Sequence, residues 1–340
     1  MVGSAQTGHD RAMELREFEP DDIDAIAAYV TIENARIAAD CPWRYPLTPY
    51  RHEMWMRHGW DGETPRCFLV EVDGRSVGKA DLNTSEWDNL DLAWLELVVH
   101  PDHRRHGHGT AALAALHEEC RRVARPLVGL DGFHSEATLG FAAATGYEEK
   151  ARSVNRQQDV GELGAEFFEA AYAEAEPLAH DYELVRIAGR SPDDLHEQLV
   201  HVTESINDAP LDNLEFEDEV YTPQRIRDFE HAQIEAGNRL YRVVARHRDT
   251  GDLAGHTVVT VDSEQPWLGT QEDTSVTASH RGHRLGLLLK ADLCRWLLAI
   301  EPQLRTLDTW NAESNDHMIG VNERLGYRAV GRALEFQRRV

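Results

Sequence analysis

No stretch of this 340-residue chain holds the run of about 18 apolar residues that a membrane-crossing helix needs. Its opening, MVGSAQTGHDRAM, lacks the apolar core of a secretory signal. No membrane partner is therefore expected, and residues 1–12 are expected to be frayed. Positive charge is scarce: 35 Lys and Arg against 60 Asp and Glu give a net charge of −25. Such a surface repels phosphate backbones and anionic headgroups, so no nucleic-acid partner is expected. It is compatible with a cationic acceptor, as it is with simple solubility. Cysteine is sparse as well. Cys41, Cys67, Cys120 and Cys294 are too scattered for a disulfide frame or a zinc site. They read as small core residues in a reducing compartment, and a cytoplasmic location is expected. No Gly-Lys-Ser/Thr follows any glycine-rich loop, which removes a triphosphate-binding loop. The hairpins below argue against the repeated parallel crossovers of a dinucleotide fold.

What the chain does have is one segment twice. Gly74, Gly78, Val99, Arg104 and Gly109 answer to Gly251, Gly255, Val276, Arg281 and Gly286, always 177 residues apart. A gapless match across a turn, a strand and a loop is hard to obtain by chance, and so long a period means two whole domains rather than a solenoid. The length agrees with two domains. The expected units are residues 1–161 and 180–340. Residues 162–179, rich in Ala and Glu, read as a linker helix.

Each half opens on a short strand that stops at Pro20-Asp21-Asp22 or Pro192-Asp193-Asp194. Acidic residues there suit the exposed amides of a helix's first turn. Alternating strands follow at Cys67–Val72 and Tyr241–Ala245, and each turns at Asp73-Gly74 or Thr250-Gly251 into another strand, a hairpin signature. A strand over 92–99 feeds Arg104-Arg105-His106-Gly107-His108-Gly109, after which Leu113, Leu116, Cys120 and Val123 recur at helical spacing. A strand and a short helix then end at Gly146-Tyr147 or Gly326-Tyr327. The order predicts a mixed α/β fold, each half a twisted mixed sheet flanked by helices.

Arg-x-x-Gly-x-Gly at a strand-to-helix junction brings a ligand close to the backbone and offers it the unpaired amides of a helix start, an arrangement suited to phosphate. A tight turn could use the same glycines for chain geometry alone, but finding the loop in both halves favours a ligand. His100, His103, His106 and His108 cluster around it. Metal ligands must converge on one point, whereas residues flanking a phosphate cradle mostly point outward, so no metal is expected.

With Val99-His100-Pro101 leading into Arg104-Arg105-His106-Gly107-His108-Gly109, the chain resembles the GNAT superfamily of acyl-CoA-dependent N-acyltransferases. That family's signature is [Q/R]-x-x-G-x-[G/A] between a central strand and a helix. The resemblance covers nearly the whole chain, once per half, like the family's tandem members. It implies an α/β (α+β) fold of two tandem GNAT domains, with acetyl-CoA as cosubstrate. It also implies that the backbone at Arg104, Arg105, His106, Gly107, His108, Gly109 and Thr110 holds the CoA pyrophosphate. Leu97, Val98 and Val99 would line the pantetheine arm and thioester, with Ser135 bordering the site. The corresponding residues in the second half are Val276, Arg281, Gly282, His283, Arg284, Leu285, Gly286 and Asn315. There Arg284 stands where the signature has its first glycine. The family's tyrosine acid is replaced in both halves, by Ala142 and by Asn322.

Amine acylation needs a neutral amine, donors for the developing oxyanion and a stabilised leaving thiolate. Glu96, on the strand that carries the thioester in the family, is the expected base of the first half. Asp273 matches it in the second half, with Glu272 beside it, and strand alternation leaves open which of the two faces the cleft. Trp43, Tyr45, Trp55 and Trp60 fall where the family's substrate-side helices and loop lie. The strongly acidic stretch 207–219 is their counterpart. The expected activity is direct acetyl transfer to an amine of a small molecule or peptide, without a covalent enzyme intermediate. A second reading stands beside it: a CoA-binding sensor or scaffold in which one or both domains do not turn over.

Overall fold

A computed structural model describes residues 13–340, and the expectation of a frayed 1–12 lies outside them. The first half runs β1 (Met13–Phe18), α1 (Ile23–Asp40), α2 (Pro49–His58), β2 (Arg66–Val72), β3 (Arg75–Asn83) and β4 (Leu92–Val99), then α3 (His108–Arg122), β5 (Leu127–Phe133), α4 (Glu136–Ala144) and β6 (Glu148–Asp159). Helix α5 (Val160–Ala175) leads into the second half. That half runs β7 (Tyr182–Ala188), α6 (His196–Glu204), α7 (Pro223–Glu235), β8 (Arg239–His247), β9 (Leu253–Val261) and β10 (Leu268–Val276), then α8 (Leu285–Ile300), β11 (Thr306–Ala312), α9 (Asp316–Arg324) and β12 (Arg328–Arg339).

Local chemistry sets these boundaries. Asp22 caps α1 by accepting from the Ala25 amide at 3.0 Å. Thr48-Pro49 and Thr222-Pro223 start α2 and α7 in the same way, a threonine cap followed by proline in the first turn. The β2–β3 hairpin turns on Asp73 (φ 52°) and Gly74 (φ 72°), both left-handed, as a two-residue turn of this hand requires. Leu113, Leu116 and Cys120 form the buried stripe of α3, and all four cysteines are buried and unbridged.

The two halves share one twelve-stranded sheet in the order β1-β2-β3-β4-β5-β12-β6-β11-β10-β9-β8-β7. Each half gives its last strand to the other. β12 lies antiparallel against β5, β6 lies against β11, and β6 and β12 pair with each other at the centre. Helix α5 turns sharply at Gly164 (φ 72°) and then buries Phe168, Ala171 and Ala175 against the apolar α8. The two parallel pairings, β4 with β5 and β10 with β11, place the candidate sites. β4 and β5 stay paired only from Leu92–Leu127 to Leu95–Leu130 and then part, opening a fork in the sheet.

Candidate active site in the first-half cleft

Beyond the fork, β4 ends at Val99 and a short 3-10 turn, Pro101–His103, leads to the loop. The Arg104 guanidinium binds Asp40 at the end of α1 through two hydrogen bonds, of 2.9 and 2.6 Å, and its Nε donates to the Val99 carbonyl at 3.1 Å. This side chain therefore holds the loop in place, leaving the backbone to meet a ligand. Arg105 (φ 66°) and Gly107 (φ 84°) take left-handed conformations that turn the chain into α3. Gly107 is the N-cap residue of α3, and no side chain caps the helix. The first-turn amides of Gly109 and Thr110 thus head α3 with the positive end of its dipole behind them. A β-carbon at Gly107 would meet nothing within 4 Å, so space opens in front of the loop. At Gly109 it would stand 3.3 Å from Phe141 and 3.5 Å from Val99, which is how closely α3 approaches β4 and α4.

The loop borders a cleft of about 1330 Å³. Leu97, Val98, Val99, Arg104, Arg105, Gly107, His108, Gly109, Thr110 and Ser135 line it, as does Glu96. Of the first-half residues expected to hold the cosubstrate or act as base, His106 does not; it is exposed, with its ring beside His108. Among the described residues no group of three His, Cys, Asp or Glu side chains is placed to hold a metal ion. The far end of the cleft belongs to the second half: Trp310, Asn311 and Ala312 from β11, Ala333 and Glu335 from β12, and Pro210, Leu211 and Leu214 from the acidic stretch. That stretch therefore reaches across to the first-half site. Of the substrate-side aromatics, Trp43 packs edge-on against Phe133 within the first half, and Tyr45 packs edge-on against Trp267 of the second half.

The electrostatics weigh against Glu96 as the base. Glu96 lies 2.6 Å from Lys79 Nζ and 3.5 Å from Arg36. Burial pushes its carboxyl up, but these two cations outweigh burial and hold it at about 2. A carboxylate so stabilised has little affinity for an amine's proton. Lys79 is only 1% exposed and also faces Glu33 at 3.4 Å and Asp81 at 3.5 Å, so Glu96 belongs to a buried ion cluster.

Two acids that sequence reasoning missed line the same cleft. Asp131, on β5, accepts a hydrogen bond from Trp94 Nε1 at 3.1 Å. The protein packed around it and then the Glu96 charge push its carboxyl up to about 6. Solvent in the open cleft moderates that shift, and a filled cleft would enforce it. Glu335, directly opposite on β12, is also raised, by burial first and then by Asp212, against a hydrogen bond with Ser153. The available signal was an aspartate interrupting the apolar strand Leu127–Leu130, and a glutamate between Leu334 and Phe336.

The second-half residues gather elsewhere. Val276, Arg281, Gly282, His283, Arg284, Leu285, Gly286 and Asn315 lie outside the 1330 Å³ cleft. Arg281 repeats the role of Arg104, bonding the Val276 carbonyl at 3.0 Å and pairing with Asp208. Arg284 (φ 54°) takes the left-handed N-cap position that Gly107 fills in the first copy, and Gly282 (φ 88°) the one Arg105 fills. The linker lies against this loop: Glu174 binds Arg284 at 2.7 Å and Arg324 at 2.9 Å, and His283 Nδ1 lies 3.1 Å from the Leu178 carbonyl. Leu285 is buried in the α5–α8 interface. Asn315 caps α9 by accepting from the Met318 amide. A register shift between Gln271 and Thr274 turns both Glu272 and Asp273 into a pocket of only about 20 Å³. Trp60 plugs it from the first half, donating to Glu272 at 3.3 Å and packing on Phe229. Burial and then the Asp273 charge push Glu272 up to about 7; burial and then Glu219 push Asp273 up to about 6. The pocket that both carboxyls line is far too small for a substrate. Asn322, in the place of the tyrosine acid, is fully buried, accepting from Lys290 at 2.6 Å and donating to Asn311.

Fold and site together define a two-domain protein with a splayed-strand cleft headed by an uncapped helix start. Comparison with known proteins agrees. Residues 33–144 match the Acetyltransferase (GNAT) family. A tandem GNAT protein from the clavulanic acid biosynthesis pathway is 25% identical over 96% of this chain and 98% of its own, with a TM-score of 0.78. A GCN5-related N-acetyltransferase from Sphaerobacter thermophilus shares the fold over 98% of this chain and 97% of its own, at 17% identity and a TM-score of 0.71. Shorter matches join the chain to mycothiol acetyltransferases: 44% identity over 63 residues with that of Stackebrandtia nassauensis, and 51% over 51 residues with that of Streptomyces griseus. These stretches cover 18% and 15% of this chain and span only 20% and 16% of those relatives' own length. The chain is a tandem-domain member of the GNAT superfamily.

Proposed function

We propose that the chain is an acetyl-CoA-dependent N-acetyltransferase with its donor site in the first-half cleft, and that the second half serves as the cleft's far wall. The observation that carries this reading is the uncapped start of α3, at Gly107, opening on a 1330 Å³ cleft that begins where β4 and β5 part. Its fit to acetyl-CoA rests on the open space at Gly107 and on the Gly109 and Thr110 amides, which no side chain caps and which suit a diphosphate. Gly109 and Thr110 would hold the diphosphate, with Arg105 at the rim, and Leu97, Val98 and Val99 would line the arm. Acetyl-CoA supplies an acetyl group already activated as a thioester. The chain's own part is to hold that thioester at the fork, exclude water and present an amine. The mycothiol acetyltransferase relatives support acetyl transfer as the reaction class. The linker against the second loop and the plug at Glu272 support a second half that does not turn over.

Radiolabelled acetyl-CoA incubated with a panel of amines tests the activity. For the site, Gly107→Asp and Gly107→Asn both suit a left-handed residue, so their difference isolates charge. Asp should weaken acetyl-CoA binding at least about tenfold relative to Asn by opposing the diphosphate. Equal affinities would place the ligand elsewhere.

A further inference from the structure

We infer that the proton acceptor for the incoming substrate is the carboxyl pair Asp131–Glu335, one residue from each half of the chain, and that the substrate it receives is a cationic amine. This rests on the acetyl-transfer reading above and adds the residues that ready the acceptor. Leu95 and Leu130 are the last paired residues before the fork, so Glu96 and Asp131 are the first on either side of the opening. On its other edge, Asp131 lies directly opposite Glu335 in the antiparallel β5–β12 ladder. Residues so placed share one face, with β-carbons about 5 Å apart. Both side chains line the cleft.

The other acids of the cleft are already neutralised: Glu96 by Lys79 and Arg36, and Asp40 by Arg104. Among the described residues Asp131 and Glu335 have no cation at ion-pair distance, so two facing carboxylates present unbalanced negative charge where the strands part. An ammonium group is what such a pair attracts, and Trp94 and Trp310 in the same wall suit its alkyl neighbours. The second half lacks the pair. Asn311 stands at the position of Asp131, and the residue opposite it is Val154.

The step balances as follows. The ammonium gives one proton to the Asp131 carboxylate, which becomes the acid, and the freed nitrogen pair attacks the thioester carbonyl. The C–N bond forms and the C–S bond breaks, and the nitrogen's second proton leaves with the thiolate as thiol. Asp131 then loses its proton to solvent through the open cleft. The groups that set its proton affinity are Glu96 and Trp94 on β4, Glu335 on β12 and Arg36 on α1, with Asp212 and Ser153 acting on Glu335.

The test uses the full chain, with lysinamide, spermidine and glucosamine as amine probes and calorimetry for acetyl-CoA. Asp131→Asn should lower kcat about 100-fold while leaving acetyl-CoA affinity unchanged. Glu335→Gln should move the acid limb of the kcat/KM profile down by roughly one pH unit, because a like charge is gone. Carbon-13 titration of the ligand-free protein should find the Asp131 carboxyl above the ordinary aspartate value, and lower in Glu335→Gln. A wild-type rate and profile in Asp131→Asn, or an unmoved limb in Glu335→Gln, overturns the assignment. So does an Asp131→Asn variant that loses acetyl-CoA binding, which would make Asp131 part of the donor site's structure. A wild type that binds acetyl-CoA but acetylates none of these cations overturns the acceptor class alone. A wild type that binds no acetyl-CoA overturns the underlying reading instead, and calorimetry tells the two apart.

Discussion

At the residue scale, the chain places charge where it is costly to bury. It contains only three lysines, and two of them, Lys79 and Lys290, are buried. Lys79 lies within ion-pair distance of Glu33, Asp81 and Glu96, so Lys79→Met should destabilise the protein by about 3–5 kcal/mol, read by chemical denaturation. It should also raise the Glu96 carboxyl out of its depressed range. Glu272 works in the opposite sense. Its carboxyl is raised on folding to about 7, so its contribution to stability is intact below the ordinary glutamate value and is lost as pH rises through about 7. Glu272→Gln should therefore gain stability over wild type at pH 8, on the order of 2 kcal/mol, with the gap closing at pH 4; a gap independent of pH contradicts this. Glu96 was legible as a cleft residue because its offset from the loop is fixed by strand geometry. Its pairing with Lys79 was not, because that contact joins β3 to β4 through a tertiary register no local pattern records.

At the element scale, hairpins, caps and the α3 stripe were all readable, since each depends on residues within one turn or one period. The exchange of β6 and β12 was not. The two strands end similar halves, and which β5-like edge each joins is decided by the whole sheet. We keep residues 1–161 and 180–340 as the proposed repeat units, but the sheet crosses that division. Residues 13–161 expressed alone should expose the edge of β5 and aggregate. Co-expression with 162–340 should restore a soluble complex, and a soluble, monomeric 13–161 fragment would contradict the pairing. The halves are also joined by Arg225 on α7, buried between Asp61 and Asp88 of the first half at 3.0 and 2.7 Å. Arg225→Ala should cost about 3–5 kcal/mol by leaving two buried carboxylates unpaired. By contrast Glu174→Ala, which frees exposed Arg284 and Arg324, should cost under about 1 kcal/mol.

At the scale of the whole molecule, duplication has produced two unequal lobes. The repeated loop pointed to both, and its chemistry is preserved in both: Arg104 and Arg281 make the same two contacts. What separates the lobes lies outside the loop. The first opens on a cleft partly walled by the second, whereas in the second α5 pairs with the loop through Glu174 and Trp60 plugs the pocket at Glu272. Neither contact was legible, because a linker's docking face and an aromatic plug depend on the assembled shape. The account's central claim is one donor site per chain, and calorimetric titration with acetyl-CoA tests it most directly. We predict one molecule bound per chain, with binding weakened at least about tenfold in Gly107→Asp and retained in Gly286→Asp, where a new side chain meets open space. Two molecules per chain, or loss in Gly286→Asp with retention in Gly107→Asp, would contradict it.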